Sequence, residues 1–150
     1  MKATNELERR IYKLIFTTDY AATLGAAIVD HTDLKFILFS QLPTDAGTGG
    51  FEVVHPTNAP GYASIAVAGN MEAAGSGTGT WYNTVDLGFG INSGLSDWIN
   101  IVGFGIKEQT SGTILMYSNF VNAQQTPVTY TVPPGKEFTI PAGSLVVTID

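Results

Sequence analysis

Asp30, His31 and Asp33 are the densest gathering of histidine and carboxylate in the chain. Both side-chain types bind metals, but three groups so close on one loop leave most of a coordination sphere open, so plain loop polarity is the better expectation. His55 follows Glu52 by three residues, a spacing at which a carboxylate could orient a general base. No nucleophile matches it, because Ser40 and Ser64 fall inside expected strands rather than on a glycine-framed elbow. Asp45, Asp86, Asp97 and Glu108 show no spacing that pairs them as acid and base. Gly47, Gly49 and Gly50 lack both the following lysine and the helix of a phosphate loop. Tyr62, Trp81, Tyr82, Trp98 and Tyr117 could line a sugar platform, although aromatics in strands more often pack in a core or an interface. The residues therefore point to no catalysis, no metal and no cofactor.

The elements that would position these groups read mostly as strands. In WINIVGFGIKEQTSGTILMY, from Trp98 to Tyr117, a first strand places Trp98, Val102, Phe104 and Ile106 on one face. Ile99, Ile101, Gly103 and Gly105 take the other face, where the glycines leave room for an aromatic ring, a second sheet or another chain. Gly112 closes the turn at a position suited to positive φ, and the return strand follows. Leu34 to Ser40 is almost continuously apolar after Lys35, as in a central strand buried on both faces. Trp81 to Gly90 predicts a strand with Val85, Leu87 and Phe89 inward, and 70–80 a glycine-rich hairpin loop. Asn92-Ser93-Gly94, Pro133-Pro134-Gly135 and Pro141-Ala142-Gly143 mark turns. Short strands follow at Val128 to Val132, around Phe138 and Ile140, and along Leu145, Val147 and Ile149.

Ahead of the strands, Asn5 and Glu8 resemble a capping box, and Leu7, Ile11, Leu14 and Ile15 recur at helical spacing. The expected organisation is an N-terminal helical segment over 1–30 and a β domain over 31–150. The fold class is mainly β, an antiparallel β-sandwich or jelly roll with an N-terminal helix. The long loop 43–61 carries Phe51, Val53 and Val54 in a segment otherwise suited to solvent. With the helix stripe Leu7, Ile11, Leu14 and Ile15, these residues are the candidate interface of a homo-oligomer or larger lattice.

Net charge −6, with seven Lys and Arg in 150 residues, argues against sequence-independent nucleic-acid binding. The absence of cysteine removes disulfides and thiolate chemistry. No run of about 18 apolar residues marks a membrane span. The N-terminus places Glu and Arg where a signal peptide needs apolar residues, so synthesis in the cytoplasm is expected.

Several stretches together resemble a family of small virion structural proteins of tailed bacteriophages, often labelled tail fibre or minor structural proteins. Leu14-Ile15-Phe16 is similar to a recurring Leu-Ile-Phe. Ile37 to Gly47, ILFSQLPTDAG, follows the family's Leu-His-Thr-Ala-Asp-Pro-Gly turn, with Gln41 for His and no Pro before Gly. Gly61-Tyr62-Ala63 is similar to Gly-Tyr-Ala-Arg, with Ser64 for Arg. Val102 to Ile106, Gly112 to Tyr117 and Pro141 to Ile149 correspond to its Phe-Gly-Ile, Gly-x-Leu-Leu and Ala-Gly-x-Leu stretches. The resemblance implies a non-enzymatic building block of a phage particle, made in the host cytoplasm. A capsid decoration or cement subunit is the leading expectation, with the major capsid protein or tail proteins as partners. A tail or tail-fibre component is the alternative, and so is a carbohydrate-binding module on a host-facing appendage.

Overall fold

The computed structural model describes residues 2–5, 31–53, 59–74 and 80–148. The expected helix beyond Asn5 and most of the 1–30 segment lie outside this set. Within it the fold is mainly β, built from antiparallel pairs in four sheets.

The central sheet runs in the order β1 (Lys2–Ala3), β10 (Ile114–Asn119), β9 (Gly103–Glu108), β2 (Leu34–Gln41), β3 (Phe51–Glu52), with β4 (Ile65–Ala66) also on β2. Its middle strand is the apolar run 34–41, paired with β9 from Leu34↔Glu108 to Phe39↔Gly103. Phe36, Ile37, Leu38 and Phe39 are all buried, as the unbroken hydrophobicity requires. Phe36 and Leu38 enter the main core, and Ile37 and Phe39 join Tyr117 in a smaller one on the opposite face. Each such side chain is worth about 1.5–3 kcal/mol of burial. β9 and β10 form the expected hairpin, turning through Gly112 at φ 72. Gly105 admits the Phe39 ring, which would lie 2.6 Å from any Cβ added there. The edge strand β1, paired through Lys2↔Tyr117, carried no recognisable signal in so short a stretch.

Three small sheets complete the fold. β5 (Met71–Ala73), β6 (Thr80–Asn83) and β13 (Val146–Thr148) make one. β7 (Leu87–Ile91) pairs with β12 (Glu137–Ile140), and β8 (Trp98–Ile101) with β11 (Tyr130–Val132). Leu87, Phe89, Trp98, Ile101, Val132, Ile140, Leu145 and Val147 share the main core with Phe36 and Leu38.

Three expectations are corrected. The stretch from Trp98 does not continue as one strand into the hairpin: it breaks at Val102, and β8 and β9 belong to different sheets. Asn100 stands at φ 60 and the register against β11 slips, Tyr130↔Ile101 but Val132↔Trp98. The extra residue turns Trp98 and Ile101 into the same core, rather than to opposite faces. Val85 is exposed, because 84–86 is a bend between β6 and β7 instead of strand interior. Met71–Ala73, expected as loop, is the hairpin partner of β6.

Two buried asparagines lock the corners that follow. Asn83 donates through Nδ2 to Val85 O at 2.8 Å and Pro141 O at 2.9 Å, and its Oδ1 accepts from Leu145 N. Asn92 donates to Ser96 O at 2.9 Å and Val132 O at 2.8 Å, and accepts from Gly94 N. Their backbones bond to the same corners: Gly143 N donates to Asn83 O, and Gly135 N to Asn92 O. Each proline-glycine turn is thus clamped by one buried amide.

Candidate interaction surface

The groups that could do chemistry are spent on structure. Asp33 closes a short 3-10 turn (His31–Asp33), and its carboxylate accepts from Thr110 N at 3.1 Å and Thr110 Oγ1 at 2.8 Å. It therefore anchors the β9–β10 turn. Asp30 and His55 lie outside the described residues. Glu52 is paired with Lys107 and accepts from the Tyr62 hydroxyl at 3.3 Å. Ser40 Oγ donates to Phe51 O, Asp45 accepts from Tyr117 OH, and Asp86 accepts from Ala142 N. Among the described residues no group of three His, Asp or Glu could hold a metal ion.

The suggested aromatic platform disperses. Tyr62 packs between Phe89 and Trp98, and its hydroxyl accepts from Leu38 N at 2.9 Å. Gly61 makes this possible, since at φ 88 a Cβ would fall 2.0 Å from Ile91 O. Burial, with the Glu52 carboxylate next in effect, holds the Tyr62 hydroxyl protonated far above the ordinary phenol range. The Asp45 hydrogen bond and then burial raise Tyr117 in the same direction. Trp81 and Tyr82 sit on β6, in another sheet.

The candidate interface residues separate as well. Phe51 is 61% exposed on β3, whereas Val53 is buried in the chain's own core and its N–H donates to Leu38 O. Val54, Leu7, Ile11, Leu14 and Ile15 lie outside the described residues. Beside Phe51, a shallow cavity of about 290 Å³ runs to Ile99, itself 61% exposed, with Gln41 and Asn100 also lining it. Behind them Trp98 is wholly buried, and its indole N–H is the one buried side-chain donor without a partner among the described residues. Sequence reasoning did not find Ile99, since strict alternation assigns it to the face of Ile101. The signal was Asn100, a residue type that tolerates positive φ and so permits the bulge.

The sequence was compared with known proteins. The model of the family described as Podophage GP4 fiber I protein gp80 matches residues 3–148. The chain belongs to this family. The match spans every described strand except the first residue of β1, so the gp80 resemblance is a property of the whole fold rather than of one motif. No curated protein matches. Membership makes the chain a structural protein of a tailed-phage virion, non-enzymatic in role and made in the host cytoplasm before assembly. It also shifts the balance between the two structural readings: a family described by a fibre favours a tail component over the capsid decoration subunit expected first.

Proposed function

We propose that this chain is a tail-fibre subunit that docks on other subunits of the virion, copies of itself included, through the face around Phe51 and Ile99. The supporting observation is a gp80 fibre-family chain that leaves two large apolar side chains exposed along one cavity. Apolar side chains grouped this way favour a partner surface over solvent, whereas single exposed residues do not. The rim offers Gln41 and Asn100 for hydrogen bonds, the arrangement of an apolar centre with a polar edge. The apolar stripe Leu7, Ile11, Leu14 and Ile15 supplies a second contact in this reading, on a 1–30 segment whose first residues, Lys2–Ala3, pair with β10 of the 31–150 β domain. A sandwich of the central sheet against the smaller ones is the arrangement we favour for that domain, because their side chains share one core.

Phage carrying a stop codon in this gene tests the reading. Particles should keep DNA-filled heads of normal heat resistance while losing a tail appendage in cryo-electron micrographs. Loss of density from the capsid lattice, with a complete tail, would refute it. In sedimentation, Phe51→Asp with Ile99→Asp should abolish self-association of the purified chain without lowering its melting temperature.

A further inference from the structure

A second depression lies away from that face, where β10, β11, β12 and the turn after Pro141 meet. It is a groove of about 840 Å³, within the range of roughly 300–1,000 Å³ common to small-ligand sites. Four rings form one connected cluster along it: Phe104, Phe120, Tyr130 and Phe138, with centroids 5.4–5.5 Å apart in successive contacts. Phe104, Phe120 and Phe138 pack against the main core and Tyr130 is 43% exposed, so the cluster runs from the core to the surface. Around the rings stand Ser118, Asn119, Gln125 and Ser144, hydroxyls and amides that can both donate and accept. Among the described residues, no side chain lining the groove is charged at neutral pH.

We infer that this groove binds a neutral saccharide. A sugar ring offers polarised C–H groups on its faces, which suit the electron-rich faces of aromatic rings. Its hydroxyls are donors and acceptors at once, and the surrounding amides and hydroxyls match that duality. A phosphate backbone, an acidic glycan or a charged peptide would lose hydration on entering with no opposite charge to meet it. A purely apolar partner would leave Asn119 and Gln125 without the hydrogen bonds that solvent supplies. Gln125 is held ready by a tight loop: Asn122 Oδ1 accepts from Gln124 N and Thr126 N, both at 3.0 Å, and Gln125 itself sits at φ 60. These rings are not the tyrosines and tryptophans that the sequence suggested for a sugar platform. The inference is independent of the docking face, whose Phe51 and Ile99 line a different cavity.

The test titrates the full chain with trisaccharides of glucose, galactose, mannose and N-acetylglucosamine, and with sialylated and sulfated counterparts, by saturation-transfer NMR and calorimetry. Binding of at least one neutral trisaccharide is expected, with the acidic ones weaker. Tyr130→Ala should weaken it roughly tenfold or more, the loss of one stacked ring. Gln125→Gly relieves the positive φ while removing the amide, so it should fold at least as well and still bind less. Leu95→Ala, on an exposed side chain that lines neither cavity, should leave the affinity unchanged. No binding to any neutral trisaccharide overturns the inference, as does equal or tighter binding of the acidic ones. Affinity indifferent to Tyr130→Ala and Gln125→Gly overturns it too. If Tyr130→Ala lowers the oligomer mass and no sugar binds, the groove is a contact between copies and the inference is wrong.

Discussion

Replacing Asn92 by alanine isolates the work of one buried amide. The substitution removes three hydrogen bonds, those to Ser96 O and Val132 O and that from Gly94 N. The bond to Val132 O is fully buried, so its carbonyl is stranded at about 1–3 kcal/mol. Ser96 is exposed and Gly94 half-buried, so their groups regain water and each loss is nearer 0.5–1.5 kcal/mol. The total is about 2–6 kcal/mol, against a whole-domain stability of roughly 5–15. At about 2–4 °C per kcal/mol for a domain of this size, the melting midpoint should fall by roughly 4–24 °C. Differential scanning calorimetry measures it, with Leu95→Ala, on a wholly exposed side chain three residues away, as the neutral control. Asn92→Asp keeps the shape but aims a carboxylate at two carbonyl oxygens. It should be worse than alanine at neutral pH and recover as pH is lowered toward about 4, where the acid regains a donor proton. A drop for Asn92→Ala of less than about 2 °C, under 1 kcal/mol, would show that the corner stands without the clamp.

Other expectations follow from single contacts. Gly105→Ala places a methyl 2.5 Å from Met116 O and 2.6 Å from the Phe39 ring, and should cost at least about 1–3 kcal/mol in urea titration. A neutral result would mean that both the Met116 carbonyl and the Phe39 ring move aside freely. Because folding raises the Tyr62 hydroxyl, its contribution is intact below the unfolded value of about 10 and lost as pH rises above it. Stability should therefore decline in alkali, and Tyr62→Phe should flatten that limb in melts recorded across it. Asn83→Ala should loosen the turn after Pro141, which forms one wall of the aromatic groove, and so weaken any sugar binding along with stability.

Much of the fold could be read in one dimension, because its cause is local. An unbroken apolar run such as Phe36 to Phe39 has no polar face to offer solvent, so it must sit inside a sheet covered on both sides. Gly112 in a polar pentapeptide between two strands could only be a turn. The resemblance of several motifs, in order along the chain, to small structural proteins of tailed phages implied a virion structural protein, which the gp80 family match bears out. Tertiary structure decided what depends on distant partners. Alternation predicts faces only while the count of residues stays even, and one left-handed Asn100 brings Ile101 to the buried face of Trp98 while Ile99 stays exposed opposite it. Asn83 and Asn92 look like surface residues until carbonyls 58 and 40 positions away satisfy them in the core. Phe104, Phe120, Tyr130 and Phe138 become one groove only when three sheets converge, which no spacing along the chain records.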